Sequence, residues 1–251
     1  MESYIKMKSA SLDFPIYEGL DLSFRNKLTK FGKLGTTKIR NSIERKIVRG
    51  LDNIDLDIKK GDKVAIIGPN GSGKTTLLKL LAGIYTPTSG EIQIHGKISS
   101  MIDLGFGFVD DATGYENIIL SRVISGETIK DKNRIMKEAH EFTGLDEYLN
   151  LPMRTYSSGM KSRLALSTAL FSIPDILLID EFFSTGDLEF SKKSRGKIKE
   201  IMDNSSIMLF ASHDLDLIKK LCTKAIYMKN GKINYYGSIE EAKKKYENDY
   251  K

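Results

Sequence analysis

A chain of 251 residues with 40% hydrophobic and 29% charged residues can bury one large α/β domain, or a core with a smaller lobe, and its one cysteine excludes an intrachain disulfide. No run approaches the roughly 20 apolar residues of a membrane helix and MESYIKMKSA has no leader-like apolar stretch, so the chain reads as spanning no membrane and residing in a reducing, cytoplasmic setting. The net charge of +6 is local: residues 25–49 hold nine Lys/Arg against one acid, which suits nucleic acid, an anionic membrane or a phosphorylated ligand, or is simply a solvated loop.

In chain order, IKMKSASLDF, NIDLDI, GEIQIHG and KISSMIDL alternate or are rich in β-formers with Gly and Pro between them, which predicts a small antiparallel lobe around the first half. KVAIIG (63–68) and DILLID (175–180) are unbroken apolar runs too short for helices, and with IMLFASH (207–213) they predict buried central strands. Residues 115–151 are charged, helix-periodic and poor in strand formers, a helical lobe bounded by Gly114 and Pro152. YSSGMKSRLAL (156–166) sets two serines and a glycine ahead of an apolar, basic helix, whose free N–H groups and positive dipole end suit an anion. Alternating strands and helices give an α/β fold with a largely parallel sheet and crossover helices, and SIEEAKKKYENDY follows as an amphipathic stretch.

GPNGSGKTT (68–76) stands between KVAII and LLKLLAG, the strand, loop and helix order of a phosphate-binding loop. Gly68, Pro69, Asn70, Gly71, Ser72, Gly73, Lys74, Thr75 and Thr76 are therefore candidate nucleotide contacts. Gly71 and Gly73 free the turns that aim N–H groups at a β-phosphate, Lys74 bridges the β- and γ-phosphates, and Thr75 offers a hydroxyl to Mg²⁺. Asp180, ending a buried strand, is the acid expected near that metal. Glu181 follows it and can take a proton from water attacking the γ-phosphate, which fits ATP hydrolysis better than kinase transfer; a plain strand-end carboxylate is the bland reading. His213 follows a strand at the edge where ligands gather in open α/β sheets and can contact the γ-phosphate or the water, or be a satisfied structural histidine.

Together these motifs resemble the ATP-binding subunit of an ABC transporter. The resemblance implies a P-loop NTPase fold over 1–251 as a single ABC ATPase domain, with an antiparallel β lobe, a basic N-terminal loop about 23–50 and a helical lobe about 115–172. YSSGM is similar to the family's signature loop: Ser157 stands at the signature serine, Gly159 at its second glycine, and Ser158 and Met160 replace a glycine and a glutamine. The resemblance implies ATP and Mg²⁺ as cofactors and a head-to-tail homodimer, each ATP lying between one copy's P-loop and the other's signature. STGD (184–187) resembles the D-loop crossing that interface, with Asp187 its acidic member.

YSSGMKSRLA, DEFFSTGDLEFSKK, LGFGFVDDATGYENI and LCTKAIYMKNGKINYYG further resemble the subgroup that exports lipid-linked polysaccharides (O-antigen, capsule or teichoic acid) with a separate integral-membrane permease. That implies a peripheral protein on the cytoplasmic face of the inner membrane with no nucleic-acid partner. The alternatives are an exporter of lipids or drugs, or a nucleic-acid-associated ABC ATPase, which a single cassette without an inserted coiled coil disfavours. Leu34 and Gly35 match a pair in the subgroup's extended loop near the permease entrance. Longer members carry a C-terminal carbohydrate-binding domain, which is not expected in a chain reaching Lys251.

Two positions depart from the family pattern. The glutamine usual in the loop before the helical lobe is missing, since the only glutamine is Gln93 in an earlier strand; within MIDLGFGFVDD, Asp103 is the nearest polar candidate for metal and water. The aromatic that stacks on adenine is Phe14 or Tyr17 in DFPIY, either of which is also a candidate core residue.

Overall fold

The computed structural model describes residues 2–16, 46–102, 107–126, 128–170, 173–180 and 188–249. In chain order the strands are β1 (Tyr4–Ile16), β2 (Lys46–Lys59), β3 (Lys63–Ile67), β4 (Ser89–His95), β5 (Ile98–Met101), β6 (Ile176–Asp180), β7 (Ile207–Ala211), β8 (Lys224–Lys229) and β9 (Lys232–Gly237). They sort into a three-stranded antiparallel sheet, β2-β1-β4, and a six-stranded sheet, β5-β6-β7-β3-β8-β9. The larger is parallel up to β8. β9 returns antiparallel through Asn230 and Gly231, both at positive φ, a two-residue turn whose twist matches a hairpin.

The apolar runs become central strands because both their faces are covered. Val64, Ile66, Leu178, Ile207 and Leu209 face a core shared with β1, β2 and the apolar stripe of α1 (Lys74–Leu81), which buries Leu77, Leu78, Leu80 and Leu81. Ala65, Ile67, Leu177, Ile179 and Phe210 turn to a second core on the opposite face. After α2 (Gly114–Ile124) and α3 (Lys132–Thr143), the helices α4 (Ser158–Leu170), α5 (Leu188–Asn204), α6 (Leu215–Leu221) and α7 (Ile239–Asn248) cover that face with Leu166, Leu170, Ile201, Ile218 and Ala242 among others. Cys222 sits there too, and burial pushes its thiol up to about 12, so it is a neutral core side chain at ordinary pH.

A third core gathers α2, α3 and the start of α4 around Ile118, Ile135, Leu149, Met153, Tyr156 and Leu164. Thr113 caps α2 in a reciprocal box with Glu116, Asp131 caps α3, and Gly144 ends α3 in the left-handed conformation. No helix among the described residues is long and apolar enough to cross a membrane.

The expected placement of KISSMIDL in the antiparallel lobe is corrected. Its core is β5, an edge strand of the large sheet paired parallel to β6. The cause is local: the Asp175 carboxylate, just before β6, accepts from the Lys97 N–H at 2.8 Å, and the Ile176 N–H donates to the Lys97 carbonyl at 3.0 Å. These bonds take the strand away from β4 although only Gly96 and Lys97 separate the two.

Candidate functional site

β3 runs into the loop 68–73 and the loop into α1, so the phosphate-binding sequence lies at the carboxyl edge of the parallel strands. Gly68 has no room for a side chain, because a Cβ would fall 2.3 Å from the Met228 carbonyl oxygen and 2.8 Å from Ser72 Oγ. Gly73 is the N-cap of α1 at φ 104°, and no side chain caps the helix or places an acid in its first turn. The leading N–H groups and positive end of α1 are thus left to an outside anion.

Ser72 ties the loop down at both ends of its peptide unit: its N–H donates to the Pro69 carbonyl at 3.2 Å and its carbonyl accepts from the Gly231 N–H at 2.9 Å. Ser72 is 2% exposed, and its buried hydroxyl has no hydrogen-bond partner among the described residues, an orphan that a phosphate oxygen would satisfy. Lys74 Nζ folds back to donate to the Gly68 and Pro69 carbonyls at 2.8 and 3.1 Å. Asn70 and Gly71 form an exposed rim, and Thr76 lies within α1.

Strand order brings the acid to this loop. β7 lies between β3 and β6, and both Ile66 and Asp180 are level with Ala211. Thr75 Oγ1 then donates to Asp180 Oδ2 at 2.6 Å. A hydroxyl and a carboxylate held together beside a phosphate cradle are a donor set that fits Mg²⁺, which takes few protein oxygens and fills its other positions with water and phosphate. His213 is exposed two residues beyond Ala211, at the same sheet edge as Gly68 and Asp180. Glu181, Asp187, Tyr17 and Asp103 lie outside the described residues, as do Leu34, Gly35 and the basic stretch before Lys46.

Phe14 packs against the first core, edge to face with Tyr85 at 5.3 Å between ring centroids, and its ring fills the space a Cβ on Gly50 would need. Gly50 lies against the phosphate loop, since a Cβ on Gly73 would approach its carbonyl oxygen at 3.1 Å. Phe14 therefore borders the site while already serving the core.

Ser157, Ser158 and Gly159 are exposed at the start of α4. Ser157 precedes the helix and its Oγ accepts from the Met160 N–H at 3.2 Å, an N-cap bond. A Cβ on Gly159 would meet nothing closer than Ser157 Oγ at 3.9 Å, so no neighbour among the described residues requires glycine there. Sequence reading passed over Gly50 and Gly231, which enclose the phosphate loop, and Asn117, which is buried in α2. The Asn-Gly turn and a lone asparagine on an apolar helix face were the visible signals.

The family model described as ABC transporter matches residues 51–184. The chain is 40% identical over 229 residues to the O-antigen export system ATP-binding protein RfbE of Yersinia enterocolitica, covering 90% of this chain and 94% of that protein. To the teichoic acids export ATP-binding protein TagH of Listeria monocytogenes it is 37% identical over 211 residues, covering 80% of this chain and 63% of that protein. A dimeric ATP-binding cassette in a post-hydrolysis state, bound to ADP and Pi, shares the fold at a TM-score of 0.65 and 22% identity, over 94% of this chain and 98% of that one.

Proposed function

The chain belongs to the ABC transporter family and is an ATPase of it, and from that membership we propose that it drives a lipid-linked polysaccharide across the cell membrane through a separate permease. The relatives named for O-antigen and teichoic acids export support this substrate class. The protein would act as a peripheral subunit at the cytoplasmic face, one cassette with its helical lobe at about 115–172 and its basic loop at about 23–50.

Loop 68–73 and the start of α1 wrap the β-phosphate with backbone N–H groups, while Lys74 leaves its two loop carbonyls for phosphate oxygens. Thr75 and Asp180 would hold Mg²⁺, which supplies charge neutralisation on the β- and γ-phosphates. Glu181 takes the proton of the attacking water, and His213 donates to the γ-phosphate from the next strand over. Ser157 and the N–H groups around Gly159 serve the ATP held by a second copy, whose own signature reciprocates, with Asp187 at the interface between them.

One observation carries the pairing of copies. Ser157 to Gly159 form an exposed helix start with a glycine where, among the described residues, alanine would fit, which supports a bare backbone offered to a second copy. ATP gripped from both sides favours the closed pair, and hydrolysis releases it. Glu181→Gln, loaded with ATP, is expected to elute as a dimer in size exclusion with light scattering and to hydrolyse very slowly. A variant that stays monomeric at every concentration overturns the shared site. Accumulation of glycan precursors inside cells lacking the gene tests the substrate; drug or lipid accumulation instead would reassign it.

A further inference from the structure

A cation in the first turn of a helix opposes the positive helix end, yet Lys161 occupies that place in α4, its ammonium 2.6 Å from the Asp110 carboxylate. Asp110 sits in a loop of defined shape. Asn117, fully buried in α2, accepts from the Val109 N–H at 2.7 Å and donates through Nδ2 to the carbonyls of Val109, Ala112 and Thr113 at 3.0, 3.3 and 3.0 Å. The same loop is bonded to the chain that leads into α4. The Met153 N–H donates to the Ala112 carbonyl at 2.9 Å, the Arg154 N–H donates to the Asp110 carbonyl at 2.8 Å, and the Arg154 guanidinium pairs with the Asp111 carboxylate. Loop 109–113 is thus bonded to the chain on both sides of residues 157–159, upstream at 153–154 and downstream at Lys161.

We propose that Asp110 is a positioning residue for the signature. Through Lys161 it orients the first turn of α4, and so the Ser157 hydroxyl, toward the ATP of the second copy, with the loop braced by Asn117 as its mount. The inference rests on the assignment of Ser157 and Gly159 to that ATP. Both partners are well exposed, Asp110 at 67% and Lys161 at 38% of the side chain, and such pairs contribute little to folding. A positioning role is therefore separable from a structural one.

The test uses the full chain with ATP. Asp110→Asn and Lys161→Gln are each expected to lower kcat about tenfold, with unchanged affinity for a fluorescent ATP analogue and an unchanged unfolding midpoint. Combining Asp110→Lys with Lys161→Asp should restore most of the lost rate. The proposal is overturned by single variants within about twofold of the parent, by a loss that follows a lowered unfolding midpoint, or by a reversed pair whose losses multiply. Ser157→Ala, run in parallel, separates the layers. Full activity there removes the signature assignment and this proposal with it, whereas loss there beside fully active pair variants removes the proposal alone.

Discussion

Gly159 and Gly68 look alike in sequence and answer to different demands. At Gly68 any side chain collides with the β8 backbone, so the chain's own fold requires glycine. At Gly159 the space is open, and alanine would gain up to about 1 kcal/mol of helix propensity. Gly159→Ala is expected to keep or slightly raise the unfolding midpoint while lowering ATP turnover, because the added methyl meets no described residue of its own chain and would stand where the proposed second copy docks. Thermal unfolding beside a steady-state ATPase assay checks this, and full turnover would mean that nothing docks on that turn. Ser72 poses the converse case: among the described residues its buried hydroxyl lacks a partner, which an incoming phosphate can provide.

At the scale of elements, α7 is held by both its ends. Ser238 caps its start, and Asp249 past its end accepts from the Tyr227 hydroxyl at 2.7 Å and from Lys229 Nζ at 2.9 Å. The bond from Lys229, then that from Tyr227, holds the Asp249 carboxyl below the ordinary carboxylate range. A lowered folded pKa contributes stability that is present above the unfolded value and lost as pH falls through the folded one. The gap in unfolding temperature between the parent and Asp249→Asn is thus expected to be open at neutral pH and to close in acid below the ordinary carboxylate range. A gap that is independent of pH would show that the carboxylate's charge is not what tethers α7. Glu116 follows the same sign in the box that starts α2, its carboxyl lowered by the Thr113 N–H and then by the Thr113 hydroxyl.

For the whole molecule, the proposal that the charge of residues 25–49 serves an anionic surface separates that stretch from the nucleotide site. The strands that flank most of this stretch, β1 and β2, pair with each other from Tyr4 and Lys59 out to Ile16 and Lys46, beyond the reach of β4. Near that outer end Arg49 bridges Asp13 and Asp52, at 2.8 and 3.0 Å, keeping one cation of the stretch occupied at the ribbon's base. Neutralising Lys27, Lys30, Lys33 and Lys38 together is expected to weaken co-sedimentation with anionic vesicles, each cation contributing about 1 kcal/mol, and to leave ATP hydrolysis in solution unchanged. Equal sedimentation of parent and variant would count against a membrane-facing role.

Short-range pattern was enough to read the phosphate-loop sequence, the central strands and the helix starts that follow the glycine loop and YSSGM, because glycine spacing, unbroken apolar runs and small-residue clusters act within a few positions of themselves. It also marked β5 as a strand, but which sheet accepts it depends on Asp175 and β6, 78 residues downstream. Motif order already set Thr75 and Asp180 beside one metal, and the structure adds the direct bond between them, whereas the bonds from loop 109–113 to Arg154 and Lys161 had no reading in sequence for the same reason. Such contacts join segments that are distant along the chain, and hydrogen bonds a few ångströms long exist only once packing has closed that distance.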